Sequence, residues 1–143
     1  MTAVQRVICL NNYFTGCKAN IARWFGYSRL ELFRHEETEP LKLEMVRILD
    51  LACSACPVHY QSNPVKTAKT SFLRAFIMLC LARRVGARLL LASASEAYGD
   101  PNVPPKLESY RCCINLIGIR SWYDEGKRIA ETFCSYNQRM SGV

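Results

Sequence analysis

A helical pattern that closes on a glycine and runs at once into an unbroken apolar stretch constrains this chain more than any other feature. From Pro64 onward, Ala68, Phe72, Ala75, Phe76, Leu79 and Ala82 recur close to the helical period of 3.6 residues. Pro64 at the first helical position and Gly86 past the last turn frame a helix over residues 64–85. Arg83 and Arg84 fall at its C-terminus, where the helix dipole is negative. Leu89, Leu90, Leu91 and Ala92 follow without polar alternation, which predicts a buried strand within residues 88–95. Such strands, joined through helices, form parallel sheets covered by helices on both faces.

The rest of the chain repeats that alternation. Residues 4–10 read as a buried strand and residues 11–16 as the turn that leaves it. Residues 20–25 suggest a short helix with Asn20 as its cap and Ile21, Trp24 and Phe25 on the apolar side. Residues 30–33 and 47–53 read as further strands. Three prolines, Pro101, Pro104 and Pro105, make residues 98–109 a loop. A last helix is expected from near residue 120 to residue 140, followed by a turn at residues 141–143. The fold class is therefore α/β, with no internal repeat and no low-complexity segment. With 143 residues, about half of them hydrophobic, the chain has enough apolar surface for a core and is too apolar for disorder.

Charge and cysteines narrow the function classes. The net charge is +7, yet the basic residues are scattered, with Arg83, Arg84 and Arg88 as the densest group. No basic tract suits nucleic acid, and a nucleotide diphosphate is the simpler anionic partner. The first ten residues carry a single arginine and no signal-peptide pattern, and the apolar run of residues 72–82 is broken by Arg74. The expectation is a cytoplasmic protein without membrane contact, whose eight cysteines are reduced thiols. Cys53 and Cys56 form a C-x-x-C with His59 nearby, but Cys112 and Cys113 are adjacent and lack the pairing of a four-ligand zinc site, so no metal is expected. His35 reads as a hydrogen-bonded surface residue, the acidic residues Glu36, Glu37 and Glu39 as a solvated loop, and Trp24, Phe25 and Tyr27 as rings packing on a sheet.

Two short patterns carry chemistry. Tyr123 and Lys127 lie four apart in the last helical segment, hence on one helix face. A cation beside a phenol favours tyrosinate, so this pair suits removal of a hydroxyl proton during hydride transfer. Ser93, Ala94, Ser95, Glu96, Ala97, Tyr98, Gly99 and Asp100 follow a buried strand directly. Ligands of open α/β sheets bind outside the carboxyl ends of the strands, where these polar residues would lie.

The order of these segments resembles a known family. Leu89 to Asp100, with Ser121-Trp122-Tyr123-Asp124-Glu125-Gly126-Lys127-Arg128, is similar to the extended short-chain dehydrogenases of the NAD-dependent epimerase/dehydratase group. Within that group it looks most like the UDP-glucuronate decarboxylases, with patterns near L-L-A-S-T-S-E-V-Y-G-D and C-Y-D-E-G-K-R. Asn11-Asn12-Tyr13-Phe14-Thr15-Gly16 resembles their D-N-F-F-T-G turn. Pro57-Val58-His59-Tyr60 and Asn63-Pro64-Val65-Lys66-Thr67-Ala68-Lys69-Thr70 resemble P-x-x-Y and N-P-x-K-T-x-K-T.

The resemblance implies a fold and a set of roles. The fold would be an incomplete Rossmann-like, doubly wound parallel sheet, with residues 1–143 forming part of an NAD-binding domain. The family's first strand with its G-x-x-G-x-x-G turn, and its C-terminal substrate domain, have no counterpart here, so these residues alone are expected to lack turnover. Asn11, Asn12, Tyr13, Phe14, Thr15 and Gly16 would line the adenosine end of NAD, with Glu36 and Glu37 near the adenine. Leu51, Thr70 and Ala92 would lie along the dinucleotide, and Tyr123 and Lys127 would serve the nicotinamide end. Lys69 would hold the UDP-sugar, while Ser95 and Glu96 would position it or carry protons. The implied reaction converts UDP-glucuronate to UDP-xylose through C4 oxidation, decarboxylation and re-reduction. A homodimer would be the assembly of the full-length protein. Another nucleotide-sugar epimerase or dehydratase, or a non-catalytic remnant that binds nucleotide weakly or serves as an interaction module, is the alternative.

Several positions depart from the family pattern. Asn11 stands in place of an aspartate, Ala94 in place of a threonine, and Glu37 in place of an apolar residue. Trp122 replaces a small residue. Arg74, Ala75, Ile77 and Cys80 interrupt a G-T-x-N-x-x-G pattern, and Arg74 and Cys80 are expected to crowd a close helix–strand contact.

Overall fold

The computed structural model describes residues 6–36, 38–52, 61–99, 105–110, 115–118 and 120–142. The chain divides into two compact units, Met1–Glu39 and Pro40–Val143.

In the first unit, β1 (Val7–Asn11) and β2 (Leu30–Arg34) pair in parallel, from Val7 opposite Leu30 to Asn11 opposite Arg34. The crossover between them contains a 3-10 helix, Lys18–Trp24, in place of the short helix expected at residues 20–25. Cys17, not Asn20, precedes its first turn, without a side-chain cap bond. A 3-10 turn eclipses side chains three apart and builds no broad apolar face. Its residues are accordingly not buried. Trp24, Phe25 and Tyr27, expected to pack, are 47%, 54% and 53% exposed.

The second unit follows the predicted alternation. Its elements are β3 (Arg47–Asp50), α1 (Pro64–Val85), β4 (Arg88–Leu91), a 3-10 turn (Ser95–Tyr98) and α2 (Ser121–Ser141). The strands β3 and β4 are parallel, with Arg47 opposite Arg88 and Asp50 opposite Leu91. Helix α1 has the bounds its sequence signals predict. The Asn63 side chain accepts a hydrogen bond from the Lys66 N–H at 2.9 Å, Pro64 occupies the first turn, and Gly86 closes the helix at φ 66°. Both strands are shorter than their apolar patterns suggest. The ladder's last bond runs from the Ala92 N–H to the Asp50 carbonyl at 2.9 Å, and the chain then turns toward Ser95.

The core of this unit joins one sheet face to one helix face. Ile48, Met78, Leu81, Ala82 and Ala87 are buried together, with Leu41, Met45, Ile77, Val85 and Leu89 around them. The buried stripe of α1 contains Thr67, Ser71, Arg74, Ala75, Met78, Leu79, Leu81 and Ala82, so it is rotated from the expected one. Phe76, expected inward, instead stacks on Phe72 and meets Phe133 of α2 at 6.0 Å between ring centres. The rotation follows from the packing of α2 along α1, which places small residues at the contact and moves the rings to its margin. On the opposite sheet face, Leu49, Leu51 and Leu90 are 66%, 64% and 56% exposed. No helix among the described residues is long and apolar enough to cross a membrane.

The Asn63 cap satisfies one of the four N–H groups that open α1. Asn63→Ala is expected to lower the unfolding free energy by about 1 kcal/mol, whereas Asn63→Asp retains most of it. Urea denaturation of both variants checks this.

Candidate functional site

The chemistry centres on the joint between α2 and the end of β4. Tyr123 and Lys127 are one turn apart on α2 and nearly sealed from water, at 7% and 3% exposure. A buried ammonium needs acceptors, because removing it from water without them is costly. Lys127 Nζ donates to the Ala92 carbonyl at 2.9 Å. From there it lies 5.9 Å from the centre of the Tyr123 ring. The structure thus places Tyr123 and Lys127 on one face of α2, as their spacing predicts, with the Ala92 carbonyl beside Lys127.

Gly126 makes that placement possible. A Cβ at this position would meet Ser71 Cβ at 2.9 Å, so glycine lets α2 approach α1 one residue before Lys127. In the sequence Gly126 stands only as one position of the segment shared with the family. Its signal was a glycine inside a helix, where it is unfavourable unless packing requires it.

Two further buried charges stand beside Lys127, and the sequence reading missed their role. Arg74 Nε lies 3.2 Å from Asp50 Oδ1, with both side chains almost fully buried. The expectation that Arg74 would crowd the helix–strand contact is therefore corrected: its guanidinium is matched to a carboxylate at the end of β3. Cys80 is exposed and crowds nothing. The visible signal was a carboxylate, Asp50, inside an otherwise apolar strand pattern. Burial pushes the Asp50 carboxyl above its ordinary value, while the Arg74 guanidinium, the Lys127 ammonium and the Ala52 N–H oppose that rise. Burial likewise raises the Cys134 thiol on α2, with Asp50 and Glu131 adding to it.

The turn after β4 is held by charges of its own. Ser95 Oγ donates to Glu96 Oε2 at 3.2 Å, and Arg120 donates to Glu96 Oε1 at 2.9 Å. Arg120 precedes the first turn of α2, so Glu96 is fixed at the end of the helix that carries Tyr123. Lys106 Nζ donates to the Ser95 carbonyl at 2.9 Å and to the Gly99 carbonyl at 3.3 Å. Ser93 pairs with Glu131 of α2, which commits its hydroxyl as Glu96 does that of Ser95. Burial raises the Asp124 carboxyl despite the nearby Arg120, with Glu96 and Glu125 contributing. Of the other expected residues in this unit, Leu51 and Lys69 are exposed, and Thr70 is half-buried on α1.

In the first unit, the turn after β1 is organised by its own amides. Asn11 Oδ1 accepts from the Tyr13 N–H at 2.6 Å, and Asn12 Oδ1 accepts from the Phe14 N–H at 2.9 Å. Tyr13 takes a left-handed conformation at φ 60°. Asn12 Nδ2 donates to the Glu36 carboxylate at 3.3 Å, which gathers two of the expected adenosine-side residues. A Cβ on Gly16 would stand 3.2 Å from the Asn11 amide, so glycine leaves that side chain its room. Phe14 and Thr15 are exposed, and Glu37 lies outside the described residues. The turn offers carboxamide and carboxylate groups suited to sugar hydroxyls, although Asn11 spends one acceptor on its own backbone. His35 donates from Nε2 to the Glu39 carbonyl at 3.2 Å.

Among the described residues, no group of three or more His, Cys, Asp or Glu side chains could hold a metal ion. Cys53, Cys56 and His59, like Cys112 and Cys113, lie outside the described residues.

Residues 7–143 match the sequence model of the NAD dependent epimerase/dehydratase family. The chain is 53% identical to UDP-glucuronic acid decarboxylase 3 of Arabidopsis thaliana, over 97% of this chain and 41% of that protein. It is 50% identical to UDP-glucuronic acid decarboxylase 1 of Xenopus tropicalis, over 97% of this chain and 33% of that protein. The chain therefore spans less than half the length of these relatives. Its fold is similar to that of dTDP-glucose 4,6-dehydratase from Streptomyces venezuelae with NAD and TYD bound (TM-score 0.86, 19% identity, 99% of this chain and 45% of that chain). A UDP-galactose 4-epimerase is similar at TM-score 0.80 and 22% identity, over 96% of this chain and 45% of that one.

Gly126→Ala is expected to destabilise the chain by ~1–3 kcal/mol, overriding the helix propensity that alanine adds. Adding Ser71→Gly should return most of that loss in a denaturant titration. A pH series tests the raised carboxyls. Asp50 and Asp124 keep their protons to higher pH when folded than when unfolded, so the folded state binds more protons in that interval. Their contribution to stability is greatest below the unfolded carboxyl range and falls as pH rises through the folded values. Unfolding free energies of the parent and Asp124→Asn, from about pH 4 to about pH 7, should differ with that sign.

Proposed function

The chain belongs to the NAD dependent epimerase/dehydratase family, and from that premise we propose that it carries the proton-transfer pair of a UDP-glucuronate decarboxylase. One observation carries the reading: Lys127 Nζ, anchored on the Ala92 carbonyl at 2.9 Å, lies beside the Tyr123 ring at the carboxyl end of a parallel strand. The identity to named UDP-glucuronic acid decarboxylases supports the substrate class.

Tyr123, as tyrosinate, takes the proton from the sugar 4-hydroxyl and later returns it. Lys127 stabilises that tyrosinate, and its remaining N–H groups suit the hydroxyls of a nicotinamide ribose. NAD, when bound there, would supply a reversible acceptor for the C4 hydride; the sugar would pass through a β-keto acid that loses carbon dioxide and takes up a proton at C5, carried by Ser95 or Glu96, before reduction to UDP-xylose. Glu96, fixed by Arg120, and Ser95 position the sugar; Ala94 has a methyl where the family has a hydroxyl, and Ser93 is held by Glu131. Lys69 offers an exposed cation for the nucleotide diphosphate of the substrate.

For the adenosine end we assign Asn11, Asn12, Tyr13, Phe14, Thr15 and Gly16, with Glu36 and Glu37. Leu51, Thr70 and Ala92 line the dinucleotide. The residues present fit such a ligand in kind: a glycine leaves room at the turn, and Asn12 and Glu36 are already paired. The assembly is a homodimer of the longer protein, in the cytoplasm.

A chimera tests the reading. The 143 residues replace the matching segment of the Arabidopsis UDP-glucuronic acid decarboxylase 3, and UDP-xylose formation is followed. The chimera is expected to decarboxylate UDP-glucuronate, Tyr123→Phe to slow it by about 10²–10⁴-fold, and the chain alone to show no turnover. A folded chimera that binds NAD yet leaves UDP-glucuronate intact would end the proposal.

A further inference from the structure

Three buried charges meet where β3 and β4 end, and their arrangement is unequal. Asp50 Oδ1 is engaged by Arg74 at 3.2 Å, while Asp50 Oδ2 is buried without a hydrogen-bond partner among the described residues. Lys127 sends its Nζ to a neutral acceptor, the Ala92 carbonyl. Both residues also meet at Ala92, whose N–H donates to the Asp50 backbone carbonyl at 2.9 Å. A carboxylate with an open oxygen is thus close to an ammonium that is held elsewhere. The groups that face Asp50 are Arg74 from α1 and Lys127 and Cys134 from α2.

We propose that Arg74 is a positioning residue, which engages Asp50 and so keeps that carboxylate from capturing Lys127, leaving the ammonium on the Ala92 carbonyl beside Tyr123. The physical case is a competition for one buried anion. A buried carboxylate stripped of its cation is strongly destabilising and takes whatever cation can reach it. With Arg74 removed, Lys127 is the remaining cation that faces Asp50. A Lys127–Asp50 pair would be neutral as a whole, and its attraction for tyrosinate would shrink accordingly. Arginine suits the task because its guanidinium stays charged even when buried. The residue expected from sequence to disturb this contact is, in the structure, the one that keeps the site's cation available.

The inference rests on the reading of Tyr123 and Lys127 as the proton-transfer pair, yet its test needs neither cofactor nor substrate. The complete chain is labelled with ¹³Cζ-tyrosine, the Tyr123 resonance is assigned by its loss in Tyr123→Phe, and its titration is followed by NMR. In Arg74→Met the Tyr123 midpoint is expected to move up by about one pH unit. In Arg74→Lys, which keeps a cation, it should stay near the parent value. In Asp50→Asn/Arg74→Met, where both charges are gone, it should return to the parent value, and this variant should fold because a buried pair replaced as a whole is often tolerated. An unchanged midpoint in folded Arg74→Met would overturn the proposal. If that variant does not fold, a double variant displaced by about one pH unit would do the same. Inactivity of the decarboxylase chimera alongside these shifts would count against the substrate reading and leave the role of Arg74 standing.

Discussion

A lysine ammonium with almost no access to water has to be solvated by the protein, and here a single backbone carbonyl does much of that work. The bond from Lys127 to Ala92 ties α2 to the end of β4 at 2.9 Å. It can form only where a parallel strand has just stopped, because within the ladder that carbonyl would already have a partner. Residue pairing ends at Asp50 and Leu91, and the Ala92 carbonyl just beyond it accepts from the helix. Around this point, Tyr123 gains its cation and α2 its register against the sheet.

That contact in turn depends on how closely two helices can run. Gly126 brings the backbone of α2 against Ser71 of α1, and the large rings Phe72, Phe76 and Phe133 gather at the margin. Helix α1 is itself set by packing of Met78, Leu81 and Ala82 on Ile48 and Ala87. Small residues at the crossing and apolar ones on the strand therefore fix, in sequence, the strand end, the helix and the ammonium. The polar residues of the Ser95–Tyr98 turn add a second, charge-based fastening through Arg120 and Lys106.

Departures from the family's residue pattern do not all weigh the same way. Asn11 turns its carboxamide into its own loop, which leaves it less to offer a ribose than a carboxylate would. Ala94 removes a hydroxyl, and Ser93 is committed to Glu131. Arg74, by contrast, is absorbed by Asp50 and creates a buried charge pair next to Lys127. Substitution at one position is intelligible only with its spatial neighbour in view.

Much of this fold was legible in the sequence because local rules agree over α1 and its flanks. The Asn63–Pro64 start, the Gly86 stop and the apolar run beyond it act within a few residues, and the structure places the helix at those bounds. The spacing of Tyr123 and Lys127 likewise determined that they share a helix face. Periodicity could not choose which stripe of α1 faces inward, since Phe76 and Arg74 exchange the roles that hydrophobicity alone assigns them. Nor could it show that Leu49 and Leu90 are exposed, or that the segment at residues 18–24 winds as a 3-10 helix. Those outcomes depend on which surfaces meet. The meeting of Asp50, Arg74 and Lys127 is the clearest case: three charges on three elements, far apart along the chain, become one electrostatic unit only when the strand ends and both helices converge, because the energy of a buried charge is set by its neighbours in space.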